Sequence, residues 1–146
     1  MFIRKRVRDK ASGPKVHFTA LQSVRTSSGP RQKTVVSWTS HPDQSHPLYA
    51  PSVADALRMA EDGVQPWTSG IARWRELAQH GRAQADAVAA AGPHKYDRPE
   101  AYAKRCAKAD ASARKIEAIL QAQEQQAEGL RAVLAEIGNW TWDGQL

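Results

Sequence analysis

FIRKRVRDKASGPKVHFTALQSVRTSSGPRQKTVVSW, residues 2–38, holds nine of the 21 Lys and Arg residues and one acid, Asp9, a local charge of +8. The rest of the chain carries 12 basic and 14 acidic groups, so the total of +6 over 146 residues belongs to this stretch. In its first part Arg4, Arg6 and Arg8 alternate with Ile3, Lys5 and Val7. An extended chain has a side-chain period of two, which sends the three guanidiniums to one side. KVHFTALQSVR (15–25) alternates again, with Val16, Phe18, Ala20 and Val24 against Lys15, His17, Thr19, Leu21, Ser23 and Arg25. RQKTVVSW (31–38) places Arg31 and Lys33 on one parity and Thr34, Val36 and Trp38 on the other. The turn chemistry of DKASGP and TSSGP between these runs predicts a meander of three antiparallel strands.

Aligning the apolar parities gives one face of Ile3, Val7, Val16, Phe18, Val24, Val36 and Trp38, and an opposite face of Arg4, Arg6, Arg8, Lys15, His17, Arg25, Arg31 and Lys33. Leu21 and Val35 break the pattern. A three-stranded sheet is not stable with an apolar side open to water, so a later helix must cover it. The charged side is then left for a partner.

Residues 39–51, TSHPDQSHPLYAP, contain three prolines and no period and read as a linker. Ser52 with Asp55 forms a capping signature, and Val53, Ala56, Leu57 and Ala60 stripe a short helix that ends near Gly63. From about Thr68 to Ala91, Ile71, Trp74, Ala78, Gly81, Ala85 and Val88 recur at alternating threes and fours, until Gly92 and Pro93 stop the helix. Asp97 as cap, with Pro99 and Glu100 in the first turn, opens a last helix that runs to Ile137. Its seam is Tyr102, Cys106, Ala109, Ala113, Ile116, Leu120, Gln123, Ala127, Leu130, Leu134 and Ile137, a heptad spacing. At ~1.5 Å per residue the two long helices measure roughly 36 and 60 Å, so the second outruns the first. Its larger residues, Leu130, Val133, Leu134 and Ile137, collect at the far end, to cover the sheet, the short helix or a second copy of the chain. The tail NWTWDGQL (139–146) carries Trp140 and Trp142, which fold back on the body or, in the sharper alternative, dock a partner.

The expected architecture is α+β: a basic sheet module (1–38), a linker (39–51), a helical region with a coiled-coil-like antiparallel hairpin (52–137) and a tail (138–146). With 25 alanines the helical core is thin. The lone Cys106 excludes an intramolecular disulfide and fits a cytoplasmic protein. No apolar run reaches the ~20 residues of a membrane span, and FIRKRVR is not followed by the apolar stretch of a signal peptide.

Several catalytic or ligand-binding patterns fall short. His41, Asp43 and His46 are two imidazoles and a carboxylate without a third strong ligand, so no metal is expected. Ser40 beside His41 lacks the strand-turn-helix elbow of a triad, and Cys106 lies on the helical seam. Gly63, Gly70, Gly81 and Gly92 are too dispersed for a phosphate loop. No catalysis and no cofactor are expected.

Nucleic-acid binding needs cations spaced along phosphates and hydrogen-bonding side chains at base edges. Arg4, Arg6, Arg8 and Arg31 are the candidates for base edges. Lys5, Lys15, Arg25 and Lys33 are the candidates for phosphate, and His17 shares their face. Trp38 belongs to the core, as its apolar parity favours, or to a base stack. The competing reading makes the alternation a solvated sheet face that prevents edge pairing.

MFIRKRVR (1–8) and SVRTSSGPRQKTVV (23–36) resemble the N-terminal region of DDE-type insertion-sequence transposases and of small stand-alone bacterial proteins that share this start. Where those carry a Leu-Gly pair, this chain has Ser37, Trp38 and Thr39, and the acidic catalytic domain has no counterpart. The resemblance implies a DNA-binding region without its nuclease. The expected function is nucleic-acid binding, DNA ahead of RNA, as an accessory or regulatory protein of bacterial DNA. The hairpin would serve a homodimer or a partner protein. The alternative is an interaction adaptor that works through the hairpin.

Overall fold

The computed structural model describes residues 1–11, 13–64 and 69–145. Strands β1 (Phe2–Lys10), β2 (Gly13–Thr26) and β3 (Gly29–Ser40) form an antiparallel meander in the order β1-β2-β3. Helices α1 (Val53–Asp62), α2 (Ile71–Ala91) and α3 (Pro99–Ile137) follow, making the chain α+β as the alternation predicts. Gly13 and Gly29 open β2 and β3 with φ of 94° and 108°, a region that a side chain disfavours. The strands begin earlier than the apolar alternation suggests, because these glycines already pair with Lys10 and Thr26.

One face of the sheet builds the main core. Val16, Phe18, Ala20, Val36 and Trp38 pack with Ala50, with Val53, Ala56 and Ala60 of α1, with Ile71 of α2, and with Ala127, Leu130 and Val133 of α3. The far end of α3 therefore covers the sheet, and does so within one chain. At ~25 cal/mol per Å², full burial of side chains such as Phe18 or Leu130 is worth about 1.5–3 kcal/mol each.

Ser52 caps α1 as its spacing predicts: the Ser52 hydroxyl accepts the Asp55 N–H at 3.0 Å and donates to the Asp55 carboxylate at 2.5 Å. The expected start of α2 at Thr68 lies outside the described residues; the helix is seen from Ile71. Its buried positions, Ile71, Ala78 and Ala85, lie on the expected seam. The residue at the α3 cap is Arg98 rather than Asp97. The Asp97 carboxylate instead accepts the His94 N–H at 2.8 Å and pairs with Arg105, holding the α2–α3 loop. Midway along the hairpin, the Arg82 guanidinium donates twice to Glu117, at 2.8 and 2.7 Å, and once to Asp110 at 2.7 Å.

The tail folds back on the body. Thr141 bridges Ser52, the Val53 N–H donates to the Trp140 carbonyl at 3.1 Å, and the Trp142 N–H donates to the Pro51 carbonyl at 2.7 Å. Both indoles reach the Phe18 ring, with centroids at 5.3 and 5.8 Å, and Trp142 is only 6 % exposed. These tryptophans complete the core under the sheet instead of offering a docking peptide. No helix among the described residues is long and apolar enough to cross a membrane.

Candidate nucleic-acid interface

The strand register decides where each basic residue points, since residues directly opposite share a face. Arg4, Arg6 and Arg8 stand opposite Thr19, His17 and Lys15. His17 and Thr19 stand opposite Thr39 and Ser37 in turn. These residues occupy the face away from the core, and Arg25 continues the same parity along β2. Phe2, opposite Leu21, shares that face and is 40 % exposed. An aromatic ring among these cations is a feature the charge pattern alone does not single out.

Three of the expected residues lie elsewhere. Lys5 is opposite Phe18, on the core side. Its ammonium donates to the Gln145 carbonyl at 2.6 Å and stands 5.8 Å from the Trp142 ring centroid, so it pins the tail instead of facing outward. Arg31 and Lys33 are opposite Val24 and Gln22, residues of the core-side parity. The cause is a β-bulge: Ala20 pairs with Val36 and Leu21 with Thr34, so Val35 is an extra residue. One extra residue reverses the alternation of everything before it in β3.

β1 pairs only as far as Leu21, so residues 22–33 of the β2–β3 hairpin extend past it as a two-stranded arm. Arg25 lies on one side of this arm, and Arg31 and Lys33 on the other, all exposed. Arg4 ties the sheet to the arm by donating to the Gln32 amide oxygen at 3.0 Å.

Side-chain ion pairs fall on the helices and their loop and leave the sheet cations out, although Arg58, Lys104, Lys108 and Lys115 of the helices are likewise without a carboxylate partner among the described residues. Arg73, Arg75, Arg82, Arg105, Arg114 and Arg131 are each paired with a carboxylate. Arg4, Arg6, Arg8, Lys15, Arg25, Arg31 and Lys33 have no carboxylate partner among the described residues. Burial, and then the charges of Arg8 and Arg6, push the His17 imidazole below its ordinary pKa. Such an uncompensated field attracts anions.

No protein-family model, curated protein or solved structure matches the chain. The linker histidines do not assemble a metal centre. The His41 and His46 Nδ1 atoms accept the N–H groups of Asp43 and Leu48, both at 3.1 Å. The Asp43 carboxylate accepts from the Ser45 hydroxyl and N–H at 2.8 and 2.9 Å, which lowers its pKa. Among the described residues no group of three His, Cys, Asp or Glu side chains is placed to hold a metal ion. Cys106 is half-buried on α3, and Ser40 is fully buried, with its hydroxyl accepting the Ala50 N–H at 2.9 Å.

Proposed function

We propose that the protein binds nucleic acid, DNA ahead of RNA, through the outward face of its sheet and the β2–β3 arm. The observation that carries this is the row of cations with no carboxylate partner, on a chain that pairs many of its helical arginines. Arg4, Arg6, Arg8, Lys15 and Arg25 supply phosphate contacts and guanidinium forks on one surface. Arg31 and Lys33, on the reverse of the arm, suit an arm that enters a groove and meets backbone on both sides. Phe2 adds a flat ring on which an unpaired base can stack. The likeness of residues 1–8 and 23–36 to transposase N-terminal regions makes duplex DNA the first polymer to test. The role is non-enzymatic, in the cytoplasm, as an accessory or regulatory factor.

A second reading, an adaptor acting through the hairpin, is favoured by one feature. A groove of about 750 Å³ between α2 and α3 has a mostly apolar lining that includes Val88, Ala109 and Ile116, with Arg105 and Lys108 also on its wall. A partner helix or a second copy would fill it, while the basic sheet met an acidic protein surface.

Binding of labelled duplex over a salt series separates the two. About five phosphate contacts give a log–log slope of about −4 to −5. Absence of duplex and RNA binding at low salt, together with a dimer or captured partner, supports the adaptor.

A further inference from the structure

At the end of the sheet where β1 turns into β2, a cleft of about 320 Å³ opens between the strands and the linker. Its lining is Arg8, Lys15, His17, Thr39, His41 and Leu48. The size is at the lower end of the ~300–1,000 Å³ usual for small-ligand clefts. The register explains the composition: Arg8 is opposite Lys15, and His17 is opposite Thr39, so two adjacent pairs project to the same side. None of the lining residues is acidic, and neither Arg8 nor Lys15 has a carboxylate partner among the described residues.

The linker wall is held in place before any ligand arrives. His41 and His46 stack with centroids 3.8 Å apart and planes 16° apart. The His41 N–H donates to the Leu48 carbonyl at 2.9 Å, closing the loop. Since the His41 Nδ1 accepts the Asp43 N–H, the proton of the neutral ring sits on Nε2, as a donor. The Asp43 carboxylate is occupied by Ser45. His17 Nδ1 lies 3.2 Å from the Thr39 hydroxyl, so these two hold each other's orientation.

We propose that this cleft binds a phosphomonoester, the terminal phosphate of a nucleic-acid strand, with Arg8 and Lys15 holding its oxygens and His17, Thr39 and His41 completing the shell. A terminal phosphate carries more charge than an internal phosphodiester and presents more free oxygens, which suits convergent donors over a single surface cation. Leu48 and the imidazole faces leave an apolar side for the sugar or base. The strand end as the source rests on the nucleic-acid reading; the phosphate chemistry does not. The charged and titratable groups around His17 are Arg6 and Arg8 of β1, Lys15 of β2 and His41 of the linker. A bound dianion offsets the cations among them and raises the imidazole pKa.

The test uses the whole protein with two probes. Inorganic phosphate is titrated while the imidazole signals of His17 and His41 are followed by NMR. Anisotropy competition then compares one oligonucleotide carrying a terminal phosphate, at either end, with the same oligonucleotide ending in hydroxyls. Shifts at both histidines and a preference of roughly tenfold for the phosphorylated strand are expected. Lys15→Ala abolishes the preference while leaving the far-UV spectrum unchanged. Histidine shifts without strand preference support the cleft but overturn the strand end, leaving a small phosphorylated molecule as ligand. Neither shift nor preference overturns the cleft, even where duplex binding with a steep salt slope stands. Phosphate binding without binding to any oligonucleotide keeps the cleft and removes the nucleic-acid reading.

Discussion

Gly129 of α3 and Val36 of β3 are packed so closely that a Cβ on the glycine would stand 2.8 Å from the Val36 Cβ and 3.2 Å from the Val35 carbonyl oxygen. Here α3 crosses the sheet, between Ala127 and Leu130 on the helix and next to the bulge at Val35. Gly129→Ala therefore destabilises the protein. The gain in helix propensity, ~1 kcal/mol, is outweighed by an overpacking cost of about 1–3 kcal/mol. Chemical denaturation measures the difference, and Val36→Ala, which removes the Cγ2 at 3.3 Å but keeps the Cβ at 2.8 Å, rescues little of it in a double-mutant cycle. An unchanged or higher midpoint for Gly129→Ala would show that helix and sheet are further apart.

The sheet and its cover are legible in the sequence because the period-two alternation of residues 15–25 and the four-three spacing of α3 each encode a buried side. Val16, Phe18, Leu130 and Val133 are the result, all fully buried. The direction of Arg31 and Lys33 is not legible from parity, which carries across β3 only without an inserted residue. The two residues that break the pattern, Leu21 and Val35, lie at the bulge, so the irregularity is visible but its consequence needs the register. The side of Lys5 is legible, since it alternates with Arg4, Arg6 and Arg8, and only its partner is not. Charge groups Lys5 with its neighbours, while strand parity and the Gln145 carbonyl place it with the core side. Gly129 carries no turn signal, and only the approach of Val36 gives it a role.

Ser40→Ala should loosen the linker. Ser40 is fully buried, its hydroxyl accepting the Ala50 N–H at 2.9 Å and donating to the His41 carbonyl at 3.1 Å. Alanine leaves the Ala50 N–H without this acceptor, at a cost of about 1–3 kcal/mol. A lower unfolding midpoint, with faster amide exchange at Ala50, is the expected outcome. Retained protection at Ala50 would contradict it.

Acid should weaken the α2–α3 loop within a defined window. The Arg105 guanidinium, followed by the His94 N–H, holds the Asp97 carboxyl at about 2, below its ordinary 3.8. A depressed carboxylate contributes stability that is fully present above its unfolded pKa and is lost as pH falls from about 4 through about 2. A carboxyl carbon titration of Asp97 should show the low midpoint, and Arg105→Ala should raise it. The return is incomplete, because the His94 N–H still donates at 2.8 Å. A midpoint near 4 in the unsubstituted protein would remove the loop clamp.

Arg82 should matter to the hairpin through its geometry as well as its charge. Its fork reaches Glu117 twice and Asp110 once, and lowers the pKa of both acids. Arg82→Ala should speed amide exchange in the middle of α2 and raise both carboxyl pKa values. Arg82→Lys keeps a charge but not a planar fork, so it restores only part of the protection. Equal protection in both variants and the parent would make the clamp a surface decoration.

Lys5 and Arg6 are adjacent in sequence and opposite in expected effect, which makes them the sharpest check on the interface. Arg6 stands opposite His17 on the outward face, exposed and without a carboxylate partner among the described residues. Arg6→Ala should weaken duplex binding and reduce the salt slope by up to about 1, the value for a phosphate contact, with relaxed specificity where the guanidinium reads a base edge instead. Lys5→Ala removes a cation equally, and a protein attracted only by net charge would respond to both changes alike. If the face matters, Lys5→Ala leaves the slope near its starting value. Its effect falls instead on the tail, where the Gln145 carbonyl loses its ammonium donor and the Trp142 indole loses the cation beside it. Tryptophan emission and exchange at residues 140–145 report that change without any ligand. Matching slopes for the two variants would mean that the register does not decide which cations meet the phosphates, and the outward face would lose its claim to be the interface.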